Sequence, residues 1–365
     1  MDEFEEPRAG PPVYALRSVF RVYETRREGD RLLYFGDPIV SPDALERHVW
    51  PLFREAGYEV TLQVRTGEHV LVAEPRSTGL DGIPWTNVVM ALLTVLTTLF
   101  AGVEWYDATV TLDDPLSILQ TWPFAVAVLS VLGIHELGHY AMSRYHDVNA
   151  TLPYFIPVPT IFGTMGAVIK MKGRIPDREA LFDIGVAGPL AGLAAAIVVT
   201  AVGLQLEPVA AGPVYGLGGL NYPPLIQFIA TVTGGELYPP GGRVNPVVVG
   251  GWVGMFVTFL NLLPVGQLDG GHLVRAMLGR RQETVGALVP AGLFGLGGYL
   301  LFVQEETLQS ITLWFFWGFV AIALAYAGPA TPVLDDALDR RRMAVGVFTF
   351  VLGLLCFTPV PFTFV

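Results

Sequence analysis

Seven uncharged, apolar stretches run through this chain of 365 residues, and each is long enough to cross a lipid bilayer. They extend from Gly82 to Val103, Pro115 to Ile134, Ile184 to Leu206, Val244 to Leu268, Thr284 to Gln304, Thr307 to Leu334 and Met343 to Val365. A helix rises about 1.5 Å per residue, so roughly 20 such residues span the hydrocarbon. In lipid every backbone polar group needs an internal partner, which leaves helices as the way to fold these stretches. Composition agrees: 15% of the residues are charged, against about 25% in soluble domains. The expected fold is a membrane all-α, polytopic bundle of about seven transmembrane helices, at residues 84–104, 116–144, 182–205, 245–264, 284–303, 308–328 and 343–362.

The N-terminal part reads differently. Residues 1–12 are acidic with no apolar core, so they are expected to be disordered and are not a signal peptide. Residues 13–76 read as a small α+β domain, ββαββ. Ser18–Tyr23 and Leu32–Phe35 flank the hairpin signal Glu28-Gly29-Asp30. Ser41-Pro42 starts a helix, with Ser41 as its cap. Leu45, Val49, Leu52, Phe53 and Ala56 make its apolar stripe, Pro51 predicts a kink, and Gly57 ends it. A second hairpin turns at Thr66-Gly67-Glu68, and residues 77–83 link this domain to the membrane part, 84–365.

Loop charge gives an orientation. One set of loops carries Arg76, Arg144, Lys170, Lys172, Arg174, Arg178, Arg275, Arg280, Arg281, Arg340, Arg341 and Arg342; the other set carries only Arg243. Seven alternating spans fit that split, with the N-terminal domain cytoplasmic and the C-terminus outside. The net charge of −11 argues against nucleic acid as a partner. With only Lys170 and Lys172 as lysines, the composition fits a salt-loving source, though GC-rich codon usage gives the same arginine preference. Cys356 is the sole cysteine, which excludes an internal disulfide and any multi-cysteine metal site.

Within the second span lies His135-Glu136-Leu137-Gly138-His139. Helical spacing puts both imidazoles on one face, one turn apart, the pattern of a zinc site in which the intervening Glu acts on a water. Ionisable groups in a span persist where they face a polar interior and serve a function. The motif falls roughly 7–14 Å inward from Arg144. The fourth span runs in the same direction and ends in Asn261-Leu-Leu-Pro-Val-Gly-Gln-Leu-Asp269-Gly-Gly-His272. Asp269 therefore arrives at a similar depth, and His135, His139 and Asp269 form a candidate two-His, one-carboxylate ligand set for one catalytic Zn²⁺. Glu136 is the candidate general base and acid. Asn261, about two turns earlier, is placed to donate to substrate backbone or a developing oxyanion. His146 and His272 read as non-ligands near the interface, and Asp177 and Asp183 as interfacial helix-start acids.

Between the second and third spans, Pro153, Pro157, Pro159 and Pro176 exclude a long helix, yet the segment is too apolar for a solvated loop. It reads as a re-entrant β-hairpin over 151–174, whose edge, including Gly163, Met165 and Gly166, pairs with an unwound substrate.

These residues resemble the site-2 protease family of intramembrane zinc metalloproteases. HELGH in one span, Gly185-Val-Ala-Gly-Pro-Leu-Ala-Gly192 in the next, and NLLPVGQLDGG later carry the likeness. PYFIP, FGTMGAVIKMKG and IPDREALFDIGVAGPLAG place the stretch Leu132–Arg275 nearest an archaeal and chloroplast-type branch. The resemblance implies His135, His139 and Asp269 as zinc ligands, Glu136 as catalytic acid/base, and cleavage of single-span membrane proteins, often regulators after a first cut. The PDZ and CBS modules of many relatives are not seen here. A transporter remains the rival class, since broken spans and a buried Asp also mark transport sites. An inactive membrane scaffold is a third.

Overall fold

The computed structural model describes residues 10–76, 82–171, 173–210, 212, 214 and 216–364. Residues 1–9 of the expected disordered terminus, residues 77–81 of the expected linker, and Lys172 lie outside the described residues. The chain divides into two compact units, Met1–Asp81 and Gly82–Val365.

The first unit opens with a short helix, α1 (Val13–Leu16), and continues β1 (Phe20–Glu28), β2 (Arg31–Pro38), α2 (Pro42–Glu55), β3 (Tyr58–Arg65) and β4 (Glu68–Pro75). The four strands form one antiparallel sheet in the order β1-β2-β4-β3. Strand alternation splits the apolar residues between two faces. Leu33, Phe35, Val70 and Val72 cluster on one face, and Tyr34 meets Phe53 of α2 edge-on at 5.2 Å on the other. Ser41 sits at the helix cap, but its side chain makes no capping bond; Pro42 at the first turn starts the helix. The helix runs on through Pro51, because the buried stripe Leu45, Val49, Trp50 and Phe53 holds it to the sheet despite one missing N–H.

The second unit contains α3 (Trp85–Tyr106), a 3₁₀ turn (Pro115–Thr121), α4 (Trp122–Tyr145), β5 (Tyr154–Pro157), β6 (Thr164–Val168), α5 (Arg178–Gly203), β7 (Val209–Ala210), β8 (Leu217–Leu220), α6 (Pro224–Thr233), β9 (Gly242–Arg243), α7 (Pro246–Asn261), α8 (Asp269–Leu278), α9 (Arg281–Phe302), α10 (Leu308–Ala327), α11 (Arg340–Leu355) and β10 (Phe362–Phe364). Among the described residues, five helical stretches are long and apolar enough to cross a membrane: Trp85–Tyr106, Pro115–Tyr145, Arg178–Gly203, Arg281–Phe302 and Leu308–Ala327. The stretches expected as spans 245–264 and 343–362 hold helices of only 16 residues, α7 and α11, which rise about 24 Å. The reasons are local. After Asn261 the chain turns through Pro264 and Gly266 (φ 54°) before α8 begins, and after Leu355 it meets Pro359 and Pro361. Beyond those prolines β10 pairs antiparallel with β8, so the 207–243 segment and the C-terminal strand share one end of the unit.

The centre of this unit is α4, α5 and α7, brought close by glycine. A Cβ at Gly250 would stand 2.5 Å from that of Ala127, and one at Gly254 would overlap Val131. Trp252, Phe124 and Val128 fill the remaining core.

The hairpin β5–β6 pairs Tyr154 with Val168, Phe155 with Ala167 and Pro157 with Thr164. It lies along α3, whose side chains satisfy backbone groups the ladder leaves over. Asn87 Nδ2 donates to Leu152 O at 2.9 Å and Pro153 O at 3.0 Å, Thr97 Oγ1 to Gly163 O at 2.6 Å, and Trp105 Nε1 to Ile161 O at 2.7 Å. From Asn87 to Trp105 the hairpin follows about 27 Å of helix axis. Phe162 at its tip stacks on Trp105 and meets Trp252 and Phe362.

Gly163 is the position where this docking is tightest. Its φ is +76°, and a Cβ there would overlap the backbone of Thr98 and Thr97. We expect Gly163→Ala to destabilise the protein by about 2–4 kcal/mol, from left-handed strain plus overpacking. A thermal melt of the detergent-solubilised chain checks this; an unchanged midpoint would show that the hairpin does not need the close approach.

Candidate metal centre

Residue by residue, the centre is assembled by three elements. Helix α4 supplies His135 and His139, 3% and 7% exposed, with Glu136 beside them at 7%. Helix α8 supplies Asp269 as its first residue, directly after the turn that ends α7. The two glycines after Asp269 let α8 start hard against that turn: a Cβ at Gly270 would overlap Leu262 O, and one at Gly271 would overlap Gly266 O. Helix α5 supplies the wall. A Cβ at Gly188 would overlap the Nε2 atom of His139, one at Gly192 would lie 2.8 Å from Cβ and Nδ1 of His135, and one at Gly138 would lie 2.6 Å from Ala187 O. The small residues of Gly185–Gly192 thus make room for the imidazoles themselves.

The donor atoms form a nearly equilateral triangle. His135 Nε2 and His139 Nε2 are 3.2 Å apart, and Asp269 Oδ2 lies 3.2 Å from the first and 3.3 Å from the second. Four-coordinate zinc with bonds of about 2.0–2.1 Å sets its ligand atoms about 3.3 Å apart. The triangle therefore fits one face of such a tetrahedron. The outer contacts agree with metal ligation. His139 Nδ1 lies 2.7 Å from the Ile184 carbonyl, which fixes Nδ1 as the protonated nitrogen and leaves the Nε2 lone pair facing inward. Two neutral imidazoles and a carboxylate are a zinc-protease donor set, and among the described residues no other group of His, Cys, Asp and Glu is drawn together this way.

The remaining sequence-selected residues divide. Asn261 Nδ2 is 3.4 Å from His135 Nε2, at the rim of the triangle. The Ile169 N–H, one residue past β6, donates to the Glu136 carboxylate, so the hairpin reaches the site. Met165 is two-thirds exposed, and Gly166 (φ 107°) has open space where a Cβ would be. Gly163 is instead packed on α3.

His146 and Asp183 form a pair of their own at 2.9 Å, and Asp183 also takes Arg342 of α11 at 2.8 and 2.9 Å. Asp183 lies inside α5 and ties two helices together, whereas Asp177 caps α5 through the Ala180 N–H at 2.7 Å. Residues not foreseen are Ile184 and Gly188, whose roles come from tertiary contact with His139. No local pattern marks either.

A family model described as Peptidase family M50 matches residues 123–303 and so covers all four central residues. Among curated relatives of this chain, the probable zinc metalloprotease EGY1, chloroplastic, of Arabidopsis thaliana is 34% identical over 65% of the chain and 43% of that protein. The probable zinc metalloprotease EGY2, chloroplastic, of the same plant is 30% identical over 69% of the chain and 44% of that protein. The chain spans less than half the length of these curated relatives. A solved structure, the site-2 protease from Methanocaldococcus jannaschii, aligns at 16% identity with 72% of this chain and 98% of that one, at a TM-score of 0.34, too loosely to argue from.

The α5 wall makes a direct test. Gly188→Ala puts a methyl group where His139 Nε2 sits, so we expect bound zinc, measured by elemental analysis after a chelator wash, to fall at least roughly tenfold. Retention of stoichiometric metal by this variant would contradict the donor geometry.

Proposed function

We propose that this chain is an intramembrane zinc endopeptidase that hydrolyses peptide bonds within or near the spans of single-span membrane proteins. The observation that carries the reading is the buried triangle of His135, His139 and Asp269 with Glu136 beside it. These three side chains would hold one Zn²⁺, which when bound supplies a Lewis acid that polarises the scissile carbonyl and brings a water toward ionisation near neutral pH. Glu136 takes the proton from the attacking water and returns it to the leaving amine. Its hydrogen bond from Ile169 N–H aims the carboxylate and places the end of β6 next to the reacting groups.

Substrate is held as a strand. β6 pairs on one side with β5. Its other edge, at the exposed Met165, takes an extended segment; the backbone of Gly166 is itself held by Thr164 Oγ1, at 3.0 Å from its N–H and 3.2 Å from its carbonyl, which keeps that edge in shape. Gly163 contributes by fixing the turn on α3 rather than by touching substrate. The Asn261 amide, 3.4 Å from His135 Nε2, would donate to the substrate carbonyl beside the triangle. By the positive-inside pattern, the site and the N-terminal unit face the cytoplasm and the protein is a multi-pass membrane protein.

Glu136→Gln keeps the donors and removes the base. With a model single-span substrate in detergent or vesicles, we expect cleavage to fall by roughly 10²–10⁴-fold while zinc content is unchanged. Persistent cleavage would sink the mechanism, and a metal-free parent protein would sink the site.

Strand pairing requires the substrate helix to unwind. Gly or Pro placed in the substrate span should therefore speed cleavage by the unmodified enzyme. Equal initial rates for the parent and Gly/Pro-bearing substrates would count against strand docking.

A further inference from the structure

Asp269 stands at the first turn of α8, a helix of ten residues, and something must hold so short a helix in place. The segment between α10 and α11, residues 328–339, does so from outside the site. Its backbone is joined to the chain leading into α5: Val333 N–H donates to Ile175 O at 3.0 Å and Leu334 N–H to Pro176 O at 2.9 Å. Asp335 then takes two arginines from two different helices. Arg178 Nε of α5 donates to it at 2.6 Å, and Arg275 of α8 donates from both terminal nitrogens at 3.2 and 3.4 Å. Arg275 is only 7% exposed and lies six residues after Asp269 on the same helix. The guanidinium of Arg178 also sits under the C-terminal end of α8, where a Cβ on Gly279 would be 2.6 Å from it. A cation there complements the helix dipole.

A second link runs through His272, on the same face of α8 three residues after Asp269. Its Nδ1 accepts from Ala330 N–H at 3.3 Å, and its ring donates to the carbonyl of Gln267, in the turn that delivers Asp269. The segment 328–339 therefore grips α8 at two points one turn apart, His272 and Arg275, and α5 at its start. Those are the helices that bear the Asp269 ligand and the Ile184 carbonyl behind His139. The hydrogen bond from Arg178 and the second from Arg275 hold the Asp335 carboxyl below the usual carboxylate range, so it is ionised at neutral pH.

We infer that Asp335 is a positioning residue for the metal centre, acting through Arg275 and Arg178 to set α8 against α5 so that Asp269 completes the donor triangle. This rests on the metal reading of that triangle. Small errors in ligand placement are costly in a metal site, and partners behind the ligands commonly account for about 10–100-fold in affinity. Asp335 touches neither metal nor substrate, so its effect must appear in the geometry and retention of the ion.

The test uses the full chain in detergent, stripped of metal and reloaded with Co²⁺, which reports donor geometry in its visible bands. Asp335→Ala and Asp335→Asn are expected to weaken Co²⁺ retention roughly tenfold in competition with a chromophoric chelator. They should also shift the visible bands, while Asp335→Glu restores both. The thermal midpoint of each metal-stripped variant separates loss of positioning from loss of fold. Unchanged competition curves and spectra in Asp335→Ala and Asp335→Asn would overturn the inference. So would an affinity loss matched by a collapse of the stripped protein's midpoint in both variants and not relieved by Glu. Failure of the unmodified chain to bind Co²⁺ at all would instead overturn the metal reading beneath it.

Discussion

Two imidazoles and two carboxylates are kept out of water at the heart of an apolar bundle. Burying charged or polar groups costs several kcal/mol each unless they are paired or bound to a cation. Here each has a fixed partner: His139 has the Ile184 carbonyl behind it, Glu136 has the Ile169 N–H, and Asp269 faces both Nε2 atoms. The surrounding helices can meet this demand only at very short range. That is why α5 carries no side chain at Gly188 and Gly192, and why α8 begins with Asp269-Gly270-Gly271. A bundle of ordinary spacing would leave the donors too far apart to share one ion.

How much of this was legible follows from where each signal resides. The HELGH spacing is local, so the candidate ligand pair His135 and His139 and the candidate base Glu136 could be read from one turn of helix. Asp269 was reached by expecting a second apolar stretch to end level with the histidines, and its carboxylate does lie within 3.3 Å of both rings. Gly188 could be seen as small but not as the seat of His139, since nothing in the sequence says which helix faces which ring. Helix length at two of the expected spans was hidden for a similar reason. Val244–Leu268 and Met343–Val365 are apolar enough, but Pro264, Pro359 and Pro361 shorten the helices, and hydropathy does not register a missing N–H. Asp183 looked like a helix-start acid because its partner, Arg342, comes from 159 residues away.

The first unit shows the complementary case. Its hairpins are set by adjacent residues, Glu28-Gly29-Asp30 and Thr66-Gly67-Glu68, and the strand order β1-β2-β4-β3 follows from two hairpins whose inner strands meet. At Pro51, tertiary packing of Val49, Trp50 and Phe53 carries the helix past a single lost backbone bond.

The attachment of the β5–β6 hairpin to α3 has a mechanical implication. Asn87, Thr97 and Trp105 together hold four carbonyls of the hairpin segment, those of Leu152, Pro153, Gly163 and Ile161. Sliding α3 away by itself would break all four of those hydrogen bonds, and each carbonyl left buried without a donor costs about 1–3 kcal/mol. Helix and hairpin are therefore coupled through these bonds. Any route by which a bulky guest enters must leave the pair at rest, break those bonds or swing both together, carrying the receiving strand along with the door.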